Sequence, residues 1–179
     1  MKARTAVAGL TMMVTGFTAY IGYEGFVGVA APPVKGDAIT YGHGTTKDAN
    51  GNPLKAGATI TPVEAVKLAA RDVCEHEGPL KKCLAGVALH SHEFDAYMSL
   101  ALNVGTAAVC GSSIPDKLQA EDYAAACKTI LDFAGYCTKP KIRNAAGRLV
   151  CPPGALKKLP GLVRRREAEY RMCMGEAQQ

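Results

Sequence analysis

The first apolar run of the chain extends from Thr5 to Tyr23 and contains no charged residue. On a helix, its large apolar residues would form one stripe, which consists of Leu10, Met13, Val14, Phe17 and Ile21. Small and polar residues would form another stripe, which consists of Thr11, Thr15, Thr18 and Gly22. A committed membrane span is apolar all round. The pattern therefore predicts a helix that can sit in lipid or bury a single face against a soluble domain.

A β-hairpin is predicted over residues 34–46, where β-type residues follow a stretch rich in Gly and Pro. Its turn falls at Lys35-Gly36-Asp37, and its return strand includes Ile39 and Tyr41. Residues 48–57 carry Asn-Gly and Asn-Pro signals, which indicate a loop or a second hairpin.

Helical patterns dominate the rest of the chain. Thr61-Pro62-Val63-Glu64 combines a Thr N-cap, a Pro at the first position and a Glu at the third, which predicts a helix start. Gly78-Pro79 is expected to break this helix, and a second helical stretch follows Leu80. Further helices are predicted over residues 93–104, ended by Gly105, over 122–133 and over 162–174, with an irregular Pro-rich connection over 149–160. The outline is an α+β fold, mainly helical with a small N-terminal β-hairpin.

The net charge of the 179-residue chain is +5, and the cationic excess lies in the C-terminal third. The length fits one domain, or one domain with a short appendage. The basic stretch from Lys128 to Arg171 favours a polyanion, which would be nucleic acid, anionic lipid headgroups or an acidic cell-wall polymer. No nucleic-acid-binding signature accompanies it, so nucleic acid is not expected as a partner.

The seven cysteines lack metal-binding spacing and predict a disulfide protein from an oxidising compartment. No Cys-x-x-Cys occurs and no His lies at zinc-finger spacing, so neither a metal site nor a cofactor is expected. Pairing by neighbourhood along the chain leaves Cys173 as a free or intermolecular thiol, and other connectivities stay open. The pairs are then Cys74 with Cys83, Cys110 with Cys127, and Cys137 with Cys151.

Oxidised cysteines require export, and residues 1–23 are the expected export signal. Lys2 and Arg4 precede the apolar run, as in the positively charged start of such signals. No A-x-A cleavage site lies near the end of the run, so we expect a signal-anchor that stays attached and can leave the membrane. A permanent single-span anchor is the alternative. The expected domains are residues 1–23, the signal-anchor, and residues 24–179, the folded remainder.

Glu24 closes the apolar run. A carboxyl group at the end of an apolar helix is poorly solvated, which suits it to general-acid catalysis. The hairpin that follows contains Asp37, Thr40 and His43, whose side chains are of the kind that hold a water across a cleft. A surface glutamate that ends a helix before an ordinary hairpin would give the same local pattern.

Five motifs, in this order, resemble the phage-type lysozymes, glycoside hydrolase family 24. Glu24-Gly-Phe with Thr40-Tyr-Gly-His-Gly44 resembles the start of these proteins, and Thr59-Ile-Thr-Pro-Val-Glu-Ala65 resembles the helix entry after their hairpin. Residues 93–105 look like the family's central buried helix, and residues 117–126 and 160–169 match its later landmarks. The N-terminal run is further similar to that of signal-anchor-release endolysins of this family.

The resemblance implies a lysozyme-like fold and a muramidase that hydrolyses the β-1,4 bond between N-acetylmuramic acid and N-acetylglucosamine in bacterial peptidoglycan. Glu24 matches the family's general acid. Pro33 occupies the place of the family's usual second carboxylate. Asp37 is the carboxylate left in the hairpin, so we assign it the water-positioning role. A plain turn Asp in Gly36-Asp37 is the alternative.

The family's catalytic Thr can be matched in two ways. The Tyr-Gly-His match places Ala38 at that position, whereas the Thr-x-Gly-x-Gly match places Thr40 there. We prefer Thr40, because its hydroxyl can hold the attacking water. Tyr41 and His43 are then expected to bind substrate, although a lone hairpin His can equally be structural. An acid and a water-activating group on opposite faces of the sugar form an inverting arrangement.

The leading hypothesis is therefore a monomeric endolysin, tethered inactive in the host inner membrane and then released into the periplasm. Release would let residues 5–22 dock as a helix and set Glu24 in place. One alternative is a cationic protein that disrupts membranes through its basic C-terminal helix. The arginines concerned are Arg164, Arg165, Arg166 and Arg171, which could instead pair with Glu167 and Glu169. Another alternative is a wall-binding protein without glycosidase activity, which the Pro at position 33 makes plausible.

Overall fold

A computed structural model of the chain describes residues 3–33 and 36–176. Lys2, Val34 and Lys35, which enter the predictions above, lie outside the described residues. The helices α1 to α7 are Val14–Glu24, Pro62–Cys83, Ser91–Val104, Thr106–Cys110, Ile114–Gln119, Tyr123–Thr129 and Pro160–Cys173. The strands β1 to β8 are Thr5–Ala6, Val27–Ala31, Thr40–Gly42, Ala88–Leu89, Gly135–Cys137, Ile142–Arg143, Leu149–Val150 and Leu156–Lys158. The predicted α+β class is confirmed.

The chain divides into two compact units. The hairpin unit is Val14–Glu75, and the helical unit combines Met1–Met13 with His76–Gln179. Helix α2 contributes residues to both, because the boundary falls between Glu75 and His76 inside it. The helical unit is therefore assembled from two separate pieces of sequence.

The hairpin unit contains α1, the antiparallel pair β2–β3 and the first part of α2. Val27 pairs with Gly42 and Ala31 pairs with Thr40. The first strand thus begins at Val27, so the predicted start at residue 34 was wrong. Side chains alternate along this strand. The small residues Gly28 and Ala30 face inward, whereas Val27 and Val29 are exposed. A small core forms beneath this hairpin from Ala30, Tyr41 and Leu68, with Ile39, Leu54, Ala58 and Ile60 packed against it.

The predicted helix over residues 5–22 was wrong in its first half. Helix α1 begins at Val14, and the residues before it form β1 and a 3-10 turn over Val7–Gly9. Its buried residues are Gly16 and Tyr20, whereas Val14 of the predicted apolar stripe is 80% exposed. None of the helices within the described ranges is both long and apolar enough to cross a membrane.

The N-terminal segment, residues 4–13, is held inside the helical unit by polar contacts that its own sequence does not reveal. Strand β1 pairs antiparallel with β4, and Val7 and Leu10 are buried. Three carboxylates accept hydrogen bonds from this segment. They are Glu93 from the Arg4 guanidinium at 2.7 Å, Glu77 from the Thr11 hydroxyl and the Met12 amide, both at 2.7 Å, and Asp95 from the Met13 amide at 2.9 Å. These contacts satisfy backbone donors that a helix would have satisfied internally.

Helix α2 begins where its capping signal predicts. The Thr61 backbone amide donates to the Glu64 carboxylate at 3.0 Å, and the Glu64 amide donates to the Thr61 hydroxyl at 3.3 Å, which is a capping box. The predicted break at Gly78-Pro79 was wrong, because the helix continues to Cys83. A proline inside a helix removes one backbone hydrogen bond and crowds the carbonyl group four residues earlier, although its φ is helical. The full burial of Leu80 and Leu84 in the following turn offsets that cost.

Helices α3 and α7 form the centre of the helical unit. Every residue from Glu93 to Ala101 is buried, and α3 ends at Gly105, as predicted. The predicted basic C-terminal helix is also confirmed, but two of its arginines are buried against its own Glu169. Arg165 Nε lies 3.1 Å from one carboxylate oxygen and Arg166 Nε lies 2.8 Å from the other. The Ser99 hydroxyl of α3 donates to the same carboxylate at 2.7 Å, so this ion cluster joins the two helices.

Between these helices the sequence predictions are partly right. The helix predicted over residues 122–133 is α6 followed by a 3-10 turn, Ile130–Phe133, and Asp122 caps it through the Ala125 amide. The short helices α4 and α5 were missed. The stretch 149–160, predicted to be irregular, contains β7 and β8, which pair with β6 and β5 respectively.

Three disulfides cross-link the helical unit. Cys137–Cys151 confirms its prediction, whereas the other predicted pairs were wrong, since Cys83 bonds Cys110 and Cys127 bonds Cys173. Cys74 and Cys83 lie on one helix, about 13 Å apart along its axis. A disulfide needs Cα atoms within about 7 Å, so this helix forbids the predicted pair. Cys74, rather than Cys173, is the free and exposed thiol.

Asp95 makes the stability of the helical unit depend on pH. Burial raises the pKa of this carboxyl from 3.8 to about 6; the hydrogen bond from the Met13 amide opposes the rise and the nearby charge of Glu77 adds to it. The folded state thus favours neutral Asp95. The stabilisation that protonated Asp95 gives the folded state is fully present below the pKa of the unfolded chain, and it is lost as the pH rises through about 6.

We expect Asp95→Asn, which stays neutral and can still accept from Met13, to be more stable than the wild type at about pH 8, by up to about 3 kcal/mol. Urea unfolding at a series of pH values measures this. The control is Asp132→Asn, at an exposed carboxylate. An equal pH dependence in Asp95→Asn and Asp132→Asn would contradict the assignment.

Candidate active site

Glu24 is the last residue of α1, and its side chain is half-buried. The chain turns immediately after it at Gly25, which has a φ of +66° and donates its amide to the Ile21 carbonyl at 3.1 Å. The end of the helix is therefore closed by a backbone hydrogen bond, and the Glu24 side chain projects from a fixed position.

The Glu24 carboxylate lies against the backbone of Gly44. A Cβ atom placed on Gly44 would be 3.1 Å from Glu24 Oε2 and 3.7 Å from its carboxyl carbon. Gly44 also has a φ of +83°, a conformation that side-chain-bearing residues rarely adopt. The backbone conformation therefore favours glycine at position 44, and a side chain there would also shift the Glu24 carboxylate by a few tenths of an ångström.

His43 links the same loop to the turn after Glu24. Its Nδ1 forms a hydrogen bond with the Gly25 carbonyl oxygen, and the Phe26 ring lies 6.0 Å from its own ring. The Tyr20 hydroxyl of α1 donates to the His43 carbonyl at 3.4 Å. His43 is 8% exposed, so most of its surface is used within the hairpin unit.

A second polar contact closes the loop on its other side. Tyr41 and Thr45 exchange both backbone hydrogen bonds at 3.2 Å, which makes residues 41–45 a tight turn. The buried Thr45 hydroxyl donates to Asp72 of α2 at 2.8 Å. Sequence reasoning missed Gly44, Thr45 and Asp72. The available signal was the pair of glycines around His43, because glycines this close in a hairpin often mark positive φ or close approach.

The remaining predicted site residues occupy the strand before this turn. Thr40 is half-buried at the start of β3, and Asp37 is exposed in the bend that precedes it. Tyr41 is buried, and this burial raises the pKa of its hydroxyl. The contacts described above bring Glu24, His43 and Gly44 together. The roles predicted for Asp37 and Thr40, and substrate binding by Tyr41 and His43, stay predictions.

No group of three or more His, Cys, Asp or Glu side chains is placed to hold a metal ion within residues 3–33 and 36–176. The chemistry open to the site is that of a carboxyl group on a rigid support. Such a group can transfer a proton to or from a ligand.

Comparison with known proteins identifies the family. The sequence model of the phage lysozyme family matches residues 21–169, which include Glu24 and the whole loop around it. This chain belongs to the phage lysozyme family. The membership confirms the resemblance carried by the five sequence motifs.

Individual relatives agree with this assignment. The chain is 33% identical to the endolysin of Salmonella phage P22 over 92 residues. These residues are 51% of this chain and 62% of that relative, so the chain spans less than two thirds of the relative's length. It is 28% identical over 130 residues to the endolysin of Acyrthosiphon pisum secondary endosymbiont phage 1, which covers 73% of this chain and 75% of that one.

The fold is similar to that of the endolysin from Escherichia coli O157:H7 phage FAHEc1, with a TM-score of 0.76 and 23% identity over 96% of this chain and 98% of that chain. It is also similar to the active form of P1 phage endolysin Lyz, with a TM-score of 0.68 and 18% identity over 98% of this chain and 97% of that chain. These likenesses confirm the lysozyme-like fold.

Replacing Gly44 by Ala tests whether the close approach to Glu24 matters for activity. We expect Gly44→Ala to shift the Glu24 carboxylate by a few tenths of an ångström and to slow the turbidity loss of permeabilised bacterial cells. The matched control is Gly51→Ala, because Gly51 has the same φ of +83° but has no atom within 4 Å of the position that a Cβ would occupy.

Both variants should lose about 1 kcal/mol of unfolding free energy from backbone strain, measured in urea. Only Gly44→Ala should lose activity beyond what unfolding explains. Similar residual activities in the two variants would mean that the contact with Glu24 has no catalytic importance.

Proposed function

We propose that this lysozyme is an endolysin that hydrolyses the β-1,4 bond between N-acetylmuramic acid and N-acetylglucosamine in bacterial peptidoglycan. The observation that carries the proposal is the Glu24 carboxylate, fixed at the end of α1 and backed by Gly44, inside the region that matches the family. No cofactor takes part in this proposal.

Glu24 acts as the general acid. Cleavage of a glycosidic bond requires a proton on the leaving oxygen, and a correctly placed carboxyl group supplies it. The helix end, the Gly25 turn and the Gly44 backbone hold this carboxyl in one place. A fixed donor avoids the entropy cost of finding the sugar oxygen in each turnover.

Asp37 and Thr40 position the attacking water, and the reaction inverts the anomeric carbon. An inverting pair needs a gap of roughly 6.5–9.5 Å, because a water must fit between the second group and the sugar. Thr40 supports this role, because it is a half-buried hydroxyl-bearing residue at the start of β3. Asp37 is the exposed carboxylate nearest to it in sequence. Tyr41 and His43, in the same loop, bind the substrate.

Residues 1–23 form a signal-anchor that is released, and residues 24–179 form the muramidase domain. The protein is first tethered in the host inner membrane and then acts in the periplasm as a monomer. The contacts of residues 4–13 support this order, because a membrane-inserted segment could form neither β1 nor the hydrogen bonds to Glu77, Glu93 and Asp95. Helix α1 would likewise be absent from the hairpin unit, and Glu24 would have no support.

The alternative of a membrane-disrupting basic helix has less support. Arg165 and Arg166 are buried against Glu169, so half of the four arginines proposed for that role are engaged in the fold. Charge that is committed to a buried ion cluster is unavailable to a membrane. The other alternative is a wall-binding protein without glycosidase activity. Such a protein would release no soluble muropeptides from peptidoglycan, so product analysis distinguishes it from a muramidase.

The proposed roles predict a rank among three variants. Glu24→Gln keeps the size of the side chain and removes the proton, so it should lower peptidoglycan cleavage by a factor of about 10² to 10⁴. Asp37→Ala and Thr40→Ala should also lose activity, and the larger loss identifies the more important water-holding group. Mass spectrometry of released muropeptides, with identification of muramic acid at the new reducing ends, measures this.

Glu176→Gln, at an exposed carboxylate, is the control and should match the wild type. Release of muropeptides by Glu24→Gln at the wild-type rate would contradict the proposal. Proton NMR of the first-formed sugar ends adds the stereochemical test, because an inverting enzyme yields the α anomer from a β bond.

The proposed release of the anchor is tested on the outer face of α1. Thr15 and Thr18 are exposed in the folded protein, so Thr15→Leu/Thr18→Leu should leave its fold intact while making the anchor more apolar. We expect this double variant to stay in the membrane fraction after alkaline extraction and to delay lysis. Thr15→Ser/Thr18→Ser is the matched control. An N terminus found cleaved after export, or equal extraction of both variants, would contradict the signal-anchor.

A further inference from the structure

The cationic excess of the sequence is concentrated in one part of the structure that the proposed catalysis does not use. We call residues 134–159 the cationic arm. It contains six Lys or Arg residues and no Asp or Glu. The whole chain has a net charge of +5, so the remainder carries a net charge of −1. The basic character of this protein is therefore a property of the arm.

The arm is an ordered surface rather than a loose tail. It consists of two antiparallel ladders, β5 with β8 and β6 with β7. The disulfide Cys137–Cys151 joins the end of β5 to the residue after β7, which ties the two ladders together. Its side chains are thus presented in a fixed arrangement, and binding through them costs little ordering of the backbone.

Five of the six cations of the arm are exposed, and none of the five is in an ion pair within the described part of the chain. They are Lys139, Lys141, Arg143, Lys157 and Lys158. Arg148 differs, because it is paired with Asp116. Helix α7 differs, because Arg165 and Arg166 there are buried and paired with Glu169, and its exposed arginines are Arg164 and Arg171. Among the described residues, the arm therefore presents five exposed cations without an ion pair, where the basic helix presents two.

Apolar side chains are exposed among these cations. Tyr136 is 48% exposed, Ile142 is 49% exposed and Leu149 is 59% exposed. Leu149 lies directly opposite Arg143 in the β6–β7 ladder, and Tyr136 lies opposite Lys157 in the β5–β8 ladder. Leu149 therefore shares a face of its ladder with Arg143, and Tyr136 shares one with Lys157, while Ile142 lies on the other face of the two-stranded β6–β7 ladder.

We propose that the cationic arm docks on the surface of a phospholipid bilayer that carries anionic headgroups. Phosphates at the bilayer surface attract Lys and Arg side chains. Aromatic and aliphatic side chains beside them insert at the boundary between headgroups and acyl chains. A soluble polyanion would satisfy the cations but would leave Ile142, Leu149 and Tyr136 in water. The mixture of the two side-chain types is what selects the bilayer.

This surface would hold the protein beside a membrane after its N-terminal segment has folded into the helical unit. It differs from the proposed anchor, because it needs no change in the fold. It is also independent of Glu24, so its test requires no enzymatic activity.

The test is sedimentation with vesicles, using the folded protein with its disulfides intact. Wild type should bind vesicles that contain phosphatidylglycerol, should bind phosphatidylcholine vesicles weakly, and should lose the difference at high salt. Lys139→Gln/Lys141→Gln/Arg143→Gln should weaken binding by roughly tenfold or more, because each cation near an anionic bilayer contributes a factor of about five.

The matched control removes the same charge elsewhere. Lys47, Lys55 and Lys67 are exposed in the hairpin unit, and their triple replacement by Gln should change vesicle binding far less than the arm variant does. Equal losses in the two triple variants would show that net charge alone acts, which would overturn the proposal.

A second variant distinguishes a bilayer from a soluble polyanion. Ile142→Ser/Leu149→Ser keeps every charge, should weaken vesicle binding severalfold and should leave binding of soluble polyphosphate unchanged. Wild-type affinity of this variant for the vesicles would assign the arm to an anionic polymer instead and would overturn the proposal. Near-UV circular dichroism confirms that each variant keeps its fold.

Discussion

The close approach of a backbone to a carboxylate is the constraint on which the candidate site depends. A Cβ atom at position 44 would lie only 3.1 Å from Glu24 Oε2, so a side chain there would displace the carboxylate or the turn of residues 41–45 by a few tenths of an ångström. The Thr45 hydroxyl bonded to Asp72 and the His43 ring bonded to the Gly25 carbonyl hold the turn from two sides. The Glu24 carboxylate thus lies against a turn that is itself held by side-chain hydrogen bonds.

Carboxylates serve two different purposes in this chain. Glu24 is half-buried at a helix end, in a position from which a proton can be passed to a ligand. Glu77, Glu93 and Asp95 instead accept hydrogen bonds from the N-terminal segment, and Glu169 pairs with two buried arginines. Buried carboxylates need partners of this kind, since an unpaired charge in the interior is costly. The same residue type therefore supports both the chemistry and the assembly of the helical unit.

Predictions from the sequence succeed where the determining interactions are local. The start of α2 at Thr61 and the end of α3 at Gly105 follow from contacts within one turn of helix, and both are confirmed. The position of Glu24 at a helix end follows from a similar local signal, and its catalytic role stays a prediction. The disulfide partners, the pairing of β1 and the contact of Gly44 with Glu24 join residues far apart in the chain. Periodicity contains no information on such pairs, which explains why the start of α1 and two of the disulfides were predicted wrongly.

The pairing of β1 with β4 has a consequence for the order in which the protein can form. Thr5 pairs with Leu89, so the segment that contains β1 waits for a strand that is synthesised much later. Contacts of such high sequence separation form slowly, because a long loop must first be closed. Until then, the segment that contains β1 has no folded partner and is accessible to factors that bind nascent chains. The N-terminal segment therefore stays accessible to other molecules until β4 has been synthesised and β1 pairs with it.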